Sequence, residues 1–294
     1  MALDQVDVDK LNDDKEMSFM DHLEHLRWHI FRSVLVVVVF SIVAFLNGDF
    51  VFKTIIFGPK NKDFITYRVL CSLGHKFFGS EALCFSPPDF QVVTRELGEQ
   101  FMTHFNISFW IGLIISFPYI LWEIWRFIKP GLYEKERKSA RGLVFVCSVL
   151  FLVGVLFGYF VLSPFSISFL AGYDVAGTLT LPTLDSYVSF MTMFTIPVGL
   201  IFELPVAIYF LAKIGLITAQ FMKDYRRHAI VVILIIAGII TPPDVTSQIL
   251  VTLPLIFLYE ASIIVAQRVE RTIKKKEEEE LKLELKNYSS NKQS

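Results

Sequence analysis

The chain has no phosphate-cradling G-x-x-x-x-G-K-[ST] pattern, no H-E-x-x-H and no G-x-S-x-G. Nucleotide hydrolysis and zinc proteolysis therefore have no support, and no nucleophile–base pair can be placed for an intramembrane enzyme. No internal repeat of about 20–50 residues is visible. Residues 1–17 carry no apolar core and no small-residue cleavage pattern. They read as a disordered, solvated arm rather than a cleavable leader, so insertion is expected to be driven by the first spanning helix. Cysteine is scarce, with three in all. Cys147 lies in an apolar run and reads as a small packing residue. Cys71 and Cys84 lie in a long loop; they either pair, if that loop faces an oxidising compartment, or stay as free thiols. The formal net charge of -1 gives no hint of a nucleic-acid partner.

What is abundant is apolar surface. Hydrophobic residues make up 53% of the chain, with 29 phenylalanines, and mean hydropathy is +0.52. These values predict an all-α polytopic membrane protein. Six spans are expected, at about 28–46, 101–125, 142–162, 188–211, 229–240 and 249–266, forming a concave bundle over residues 18–267. An amphipathic surface helix with Phe19, Leu23, Leu26 and Ile30 on one face leads into the first span. The loop at 47–97 holds apolar pieces, FVFKTIIF and FITYRVL, readable as helices or strands. The fifth span has twelve apolar residues and reaches about 18 Å, against a hydrocarbon core of about 30 Å. Residues 268–294 form a charged, partly helical tail.

Sidedness follows from where Lys and Arg collect. Six lie between Arg126 and Arg141, and others at Lys213, Lys223, Arg226, Arg227 and in the tail. Ser163–Tyr187 has none, nor has the turn after the fifth span. Both termini are thus expected in the cytoplasm of a cell whose inner membrane holds the chain.

Glu203 stands inside the fourth span, where an ionisable group costs about a few kcal/mol. Pro205 two residues later suggests a kink that frees carbonyls. The side chain either serves a partner or is a neutral acid bonded to a neighbouring helix. Glu260 lies eight residues before Arg268, where a functional role and a structural or snorkelling group are equally open. Glu136 is ringed by Lys135, Arg137 and Lys138; charge alone makes it a surface ion pair. His22, His25 and His29 share a helix face and read as a polar surface rather than a metal site; no metal or other cofactor is expected.

Four stretches, FMDHLEHLRWHI, FPYILWEIWRFIKPGLYEKERK, FELPVAI and TPPDVTSQ, occur in an order and spacing that resemble the TatC family. TatC is the polytopic receptor subunit of the twin-arginine, Sec-independent protein translocase. The resemblance spans roughly residues 17–267 and is weak at 60–90. It implies a protein that is not an enzyme. Such a receptor binds twin-arginine signal peptides of folded cargo, works with the single-span TatA and TatB in an oligomeric complex, and uses the proton gradient. It places signal-peptide recognition at Glu136, with Phe127 and Pro130 shaping the loop. It sets Glu203, Thr241 and Gln248 on the partner surface, with Glu260 a further intramembrane polar group. One departure concerns HLxELR, whose acid also contacts the signal peptide: here His25 occupies that place and Glu24 stands one residue earlier. That is about 100° around a helix. Glu24 reaches round, or Asp21 does, or Glu136 carries more of the recognition; His22 and Arg27 match the motif. The rival reading is a small proton-coupled secondary transporter using Glu203 and Glu260, although the paired broken helices of such folds are not evident.

Overall fold

In hydrocarbon a backbone can satisfy its own polar groups only as a helix or a closed barrel, and the long Leu, Ile, Val and Phe runs take the first solution. The computed structural model describes residues 19–78, 84–128, 140–173, 177, 180–241 and 245–291. Its main helices are α1 (Phe19–Leu46), α2 (Ile65–Phe78), α3 (Glu99–Ile128), α4 (Ala140–Phe157), α5 (Ser163–Gly172), α6 (Leu184–Ile201), α7 (Leu204–Lys213), α8 (Ala219–Asp224), α9 (Arg226–Ile240) and α10 (Val245–Asn291). Among the described residues no β-strand forms, and one isolated parallel bridge joins Val93 to Thr183.

Five helical stretches are long and apolar enough to cross a membrane: Glu24–Leu46, Glu99–Phe127, Gly142–Gly172, Leu184–Lys213 and Ser247–Leu283. The chain is a multi-pass membrane protein. The expected fifth span is α9, 15 residues long. It extends about 22 Å, still short of the hydrocarbon thickness of about 30 Å. The expected surface helix and first span are a single helix, α1, because no Pro or Gly separates them. The apolar piece after Asp63 is the helix α2. The tail continues α10 without a break as far as Asn291.

Prolines explain the interruptions. Pro164 brings no N–H to the carbonyl of Phe160 one turn back. That carbonyl takes the Thr66 hydroxyl of α2 instead, at 2.6 Å. The helix widens into a π turn over Gly158–Leu162 and continues as α5, so the third apolar run is longer than its sequence limits suggest. Pro205 acts likewise on the fourth: α6 ends at Ile201 and α7 begins at Leu204. Glu203 is left in the break.

Helices α1 and α3 pack closely. A Cβ on Gly112 would lie 2.2 Å from Ser41 Oγ and 2.6 Å from the Ser41 backbone nitrogen, so only glycine permits this approach. The most buried core joins Leu162, Phe194, Val198 and Phe202 to Ile233, Ala237 and Ile240 of α9 and Val251 and Leu255 of α10. The opposite face of α1, with Phe31, Val34, Leu35, Val38 and Ile42, is exposed, as a lipid-facing surface should be.

The described parts of residues 47–97 fold over one end. Glu99 accepts from the backbone N–H of Arg95 at 2.7 Å and of Asp185 at 3.0 Å. It thereby fastens the start of α3 to the start of α6 beside the Val93–Thr183 bridge. Tyr67, buried in α2, donates to the carbonyl of Pro59 at 2.8 Å, and burial pushes its hydroxyl up to about 12.

Candidate functional site

At the end of the bundle opposite that cap, the first turns of α1 meet the last turns of α3. Glu24, His25 and Arg27 are exposed on α1, and the Arg27 guanidinium lies 5.8 Å from the Trp28 ring centroid. His29 points the other way, between the helices. Its Nδ1 contacts Oε2 of Glu123, whose side chain is 1% exposed. The other carboxylate oxygen accepts from the Tyr119 hydroxyl at 2.8 Å, one turn earlier on α3. The Arg32 guanidinium adds a positive charge close by. The His29 ring also meets Phe127 edge-on, centroids 6.0 Å apart. An acid, an imidazole, a phenol and an aromatic anchor thus join α1 to α3 at the point where the chain leaves the helix.

Of the residues expected at this site, the structure brings Phe127 to His29 and leaves Glu24, His25 and Arg27 open on the adjoining surface. Glu136 and Pro130 lie outside the described residues. Sequence reasoning passed over Glu123 and Tyr119. The available signal was a lone acid in an aromatic run, with a tyrosine four residues before it and a polar histidine face on the preceding helix.

Glu203 occupies the α6–α7 break. Its carboxyl interacts with the Cys147 thiol and with the backbone N–H of Phe151, both on α4. Its Oε1 is buried with no hydrogen-bond partner among the described residues. An unpaired buried polar atom costs about 1–3 kcal/mol, so this position holds an acceptor ready for a donor. Thr241 and Gln248 are bonded elsewhere. The Thr241 hydroxyl donates to the carbonyl of Ala237 at 2.9 Å, and Gln248 Nε2 donates to the carbonyl of Leu234 at 3.3 Å. The first closes the last turn of α9, and the second ties α10 to α9. The structure thus puts Glu203 toward α4, while Gln248 joins α10 to α9.

Glu260 accepts from Arg226 of α9, with Nε at 2.8 Å from Oε1 and Nη2 at 2.9 Å from Oε2. This two-pronged pair lies on the surface of the bundle, with 46% and 40% of the side chains exposed. Arg268 is not its described partner. Cys71 and Cys84 form a disulfide.

Comparison with known proteins identifies the family. Residues 21–254 match the family model described as Sec-independent protein translocase protein (TatC). A Sec-independent protein translocase protein TatC from Blattabacterium sp. subsp. Periplaneta americana is 39% identical over 262 residues, 88% of this chain and 98% of that one. One from Helicobacter pylori is 48% identical over 171 residues, 58% of this chain and 68% of that one. Among solved structures, a twin arginine translocase receptor TatC crystallised in the detergent DDM is 31% identical. It superposes with a TM-score of 0.65, covering 83% of this chain and 99% of that one. TatC proteins are translocase components rather than enzymes. On the family match and on a relative shared along nearly its whole length, the chain belongs to the TatC family of Sec-independent protein translocase proteins.

Proposed function

We propose that the chain is the receptor of a twin-arginine translocase in a bacterial cytoplasmic membrane. Its termini and the loop at 129–139 then face the cytoplasm. The observation that carries this reading is the meeting of α1 and α3 at His29, Glu123 and Phe127, directly before the loop that contains Glu136. A signal peptide presents two planar guanidinium groups ahead of an apolar segment. A carboxylate accepts such a group through paired, charge-assisted hydrogen bonds, a geometry that lysine does not match. Glu136 supplies that carboxylate, with Glu24 on the exposed face of α1 as the neighbouring acid in place of His25. The apolar segment lies along the exposed face beyond.

The unpartnered oxygen of Glu203 takes a polar side chain of a single-span partner, TatA or TatB. A polar contact between helices in hydrocarbon contributes about 0.6–2 kcal/mol, which suits an assembly that forms and disperses. Transport draws on the proton gradient.

The test is site-specific cross-linking of a twin-arginine signal peptide to membranes containing Glu136→Gln. Cross-linking is expected to fall to the level given by a twin-lysine peptide, with membrane insertion unchanged. Undiminished cross-linking would remove Glu136 from the site.

A further inference from the structure

Away from the receptor end, three metal-ligating side chains converge on the cap. Cys71 and His75 lie four residues apart on α2, hence on one face. Cys84 comes from the segment that follows, and the ligand atoms of all three lie within 4.8 Å of one another. His75 Nε2 is 3.6 Å from Cys84 Sγ, and Cys71 and Cys84 are joined as a disulfide. We propose that this trio is a binding site for a soft cation of the zinc class, closed while the disulfide is intact and opened by its reduction.

Three observations support it beyond the presence of the donors. The helix fixes two of them. The third is held independently of the sulfur–sulfur bond: Phe85, next to Cys84, packs on Phe165 at 4.4 Å and on Tyr67 at 5.6 Å. Opening the bond therefore leaves Cys84 beside α2. Finally, His75 is exposed, so an ion can enter from water and a water molecule can complete the shell.

The chemistry balances with a dithiol as reductant. Its two thiols give two electrons and two protons to the Cys71–Cys84 bond. That bond breaks into two thiols, and the reductant leaves as its own disulfide. A Zn²⁺ ion then displaces both thiol protons. It is held by two thiolates, by the lone pair of neutral His75 Nε2 and by water, the tetrahedral set that zinc prefers. The ion restores the tie between α2 and the segment leading to α3 that reduction removes, so the cap stays fastened in either redox state.

The experiment uses the full chain in detergent, reduced with dithiothreitol and freed of it without oxygen. It is titrated with Co²⁺ as a spectroscopic probe and then with Zn²⁺. The reduced protein should develop a thiolate-to-cobalt charge-transfer band that Zn²⁺ abolishes, and the oxidised protein should show none. His75→Gln, a change on an exposed side chain, should weaken Zn²⁺ binding at least about tenfold. The proposal is overturned if the reduced chain gives no band. It is also overturned if His75→Gln binds as the parent does, or if the band persists in Cys71→Ser/Cys84→Ser, where Cys147 is the remaining thiol.

Discussion

Glu123 and Glu203 are both acids set among apolar helices, and the protein treats them in opposite ways. Around Glu123 the chain supplies an imidazole on one oxygen and a phenol on the other, drawn from two helices. Around Glu203 it supplies a thiol and a backbone N–H, and among the described residues one oxygen stays buried without a hydrogen-bond partner. Burial of a carboxylate is costly in either case. In the first it is offset on the spot, and the acid becomes a fastener between α1 and α3. In the second it is left partly unmet, and proline has opened the helix where the acid sits. A paired acid holds a structure together; an unpaired one is the better candidate for meeting something from outside.

The sharpest way to break this contrast is to remove the paired acid. Glu123→Ala leaves His29 buried without its carboxylate and Tyr119 without its acceptor. Losing one partner of a buried pair costs about 3–5 kcal/mol. Thermal unfolding in detergent should show a large fall in the transition temperature, with α1 becoming sensitive to protease first. Glu123→Gln, which keeps both contacts as neutral hydrogen bonds, should fall between this variant and the parent. Equal stability of Glu123→Ala and the parent would mean that apolar and aromatic packing along the seam, as at Gly112 and at Phe45 on His104, holds the two helices without this pair.

The apolar spans and the family motifs were legible because both are local. Hydropathy reads a continuous run, and FELPVAI or TPPDVTSQ declares itself in a few residues. Partners across the bundle were not legible. Glu260 stands near Arg268 in sequence, yet its guanidinium comes from Arg226, because α9 runs back alongside α10. Glu123 was passed over for a related reason: its meaning depends on His29, ninety-four residues earlier. The third apolar helix runs past Leu162, the limit expected from sequence, because Pro164 does not end it. Here the Thr66 hydroxyl takes up the carbonyl it frees, so the helix goes on. Glu203, by contrast, was identifiable from sequence, since an acid two residues before a proline in an apolar run breaks two local rules at once.

The second test sharpens the other half of the contrast. Glu203→Leu removes a buried oxygen that has no partner and keeps similar volume. Relieving such a group should raise stability by about 1–3 kcal/mol, seen as a higher unfolding temperature. If the proposed role holds, the same variant binds a twin-arginine peptide normally but fails to recruit TatA in cross-linking. A stabilised variant that still recruits would separate the two effects and assign Glu203 to architecture. A destabilised one would mean that the Cys147 contact outweighs the unmet oxygen.

The smallest effect belongs to a third acid. Glu260 is paired as Glu123 is, but both partners lie on the surface of the bundle, with 46% and 40% of their side chains exposed. Exposed pairs contribute about 0–1 kcal/mol, because solvent screens the attraction and two long side chains lose freedom. A double-mutant cycle with Arg226→Ala and Glu260→Ala should give a coupling energy within that range, and the coupling should shrink as salt is raised from low to physiological ionic strength. The equivalent cycle on His29 and Glu123 should give several times more and respond little to salt. Burial, and not the mere presence of an opposite charge, is then what turns an acid in this bundle into a fastener. If the two cycles match, the distinction drawn between these acids fails at its physical root.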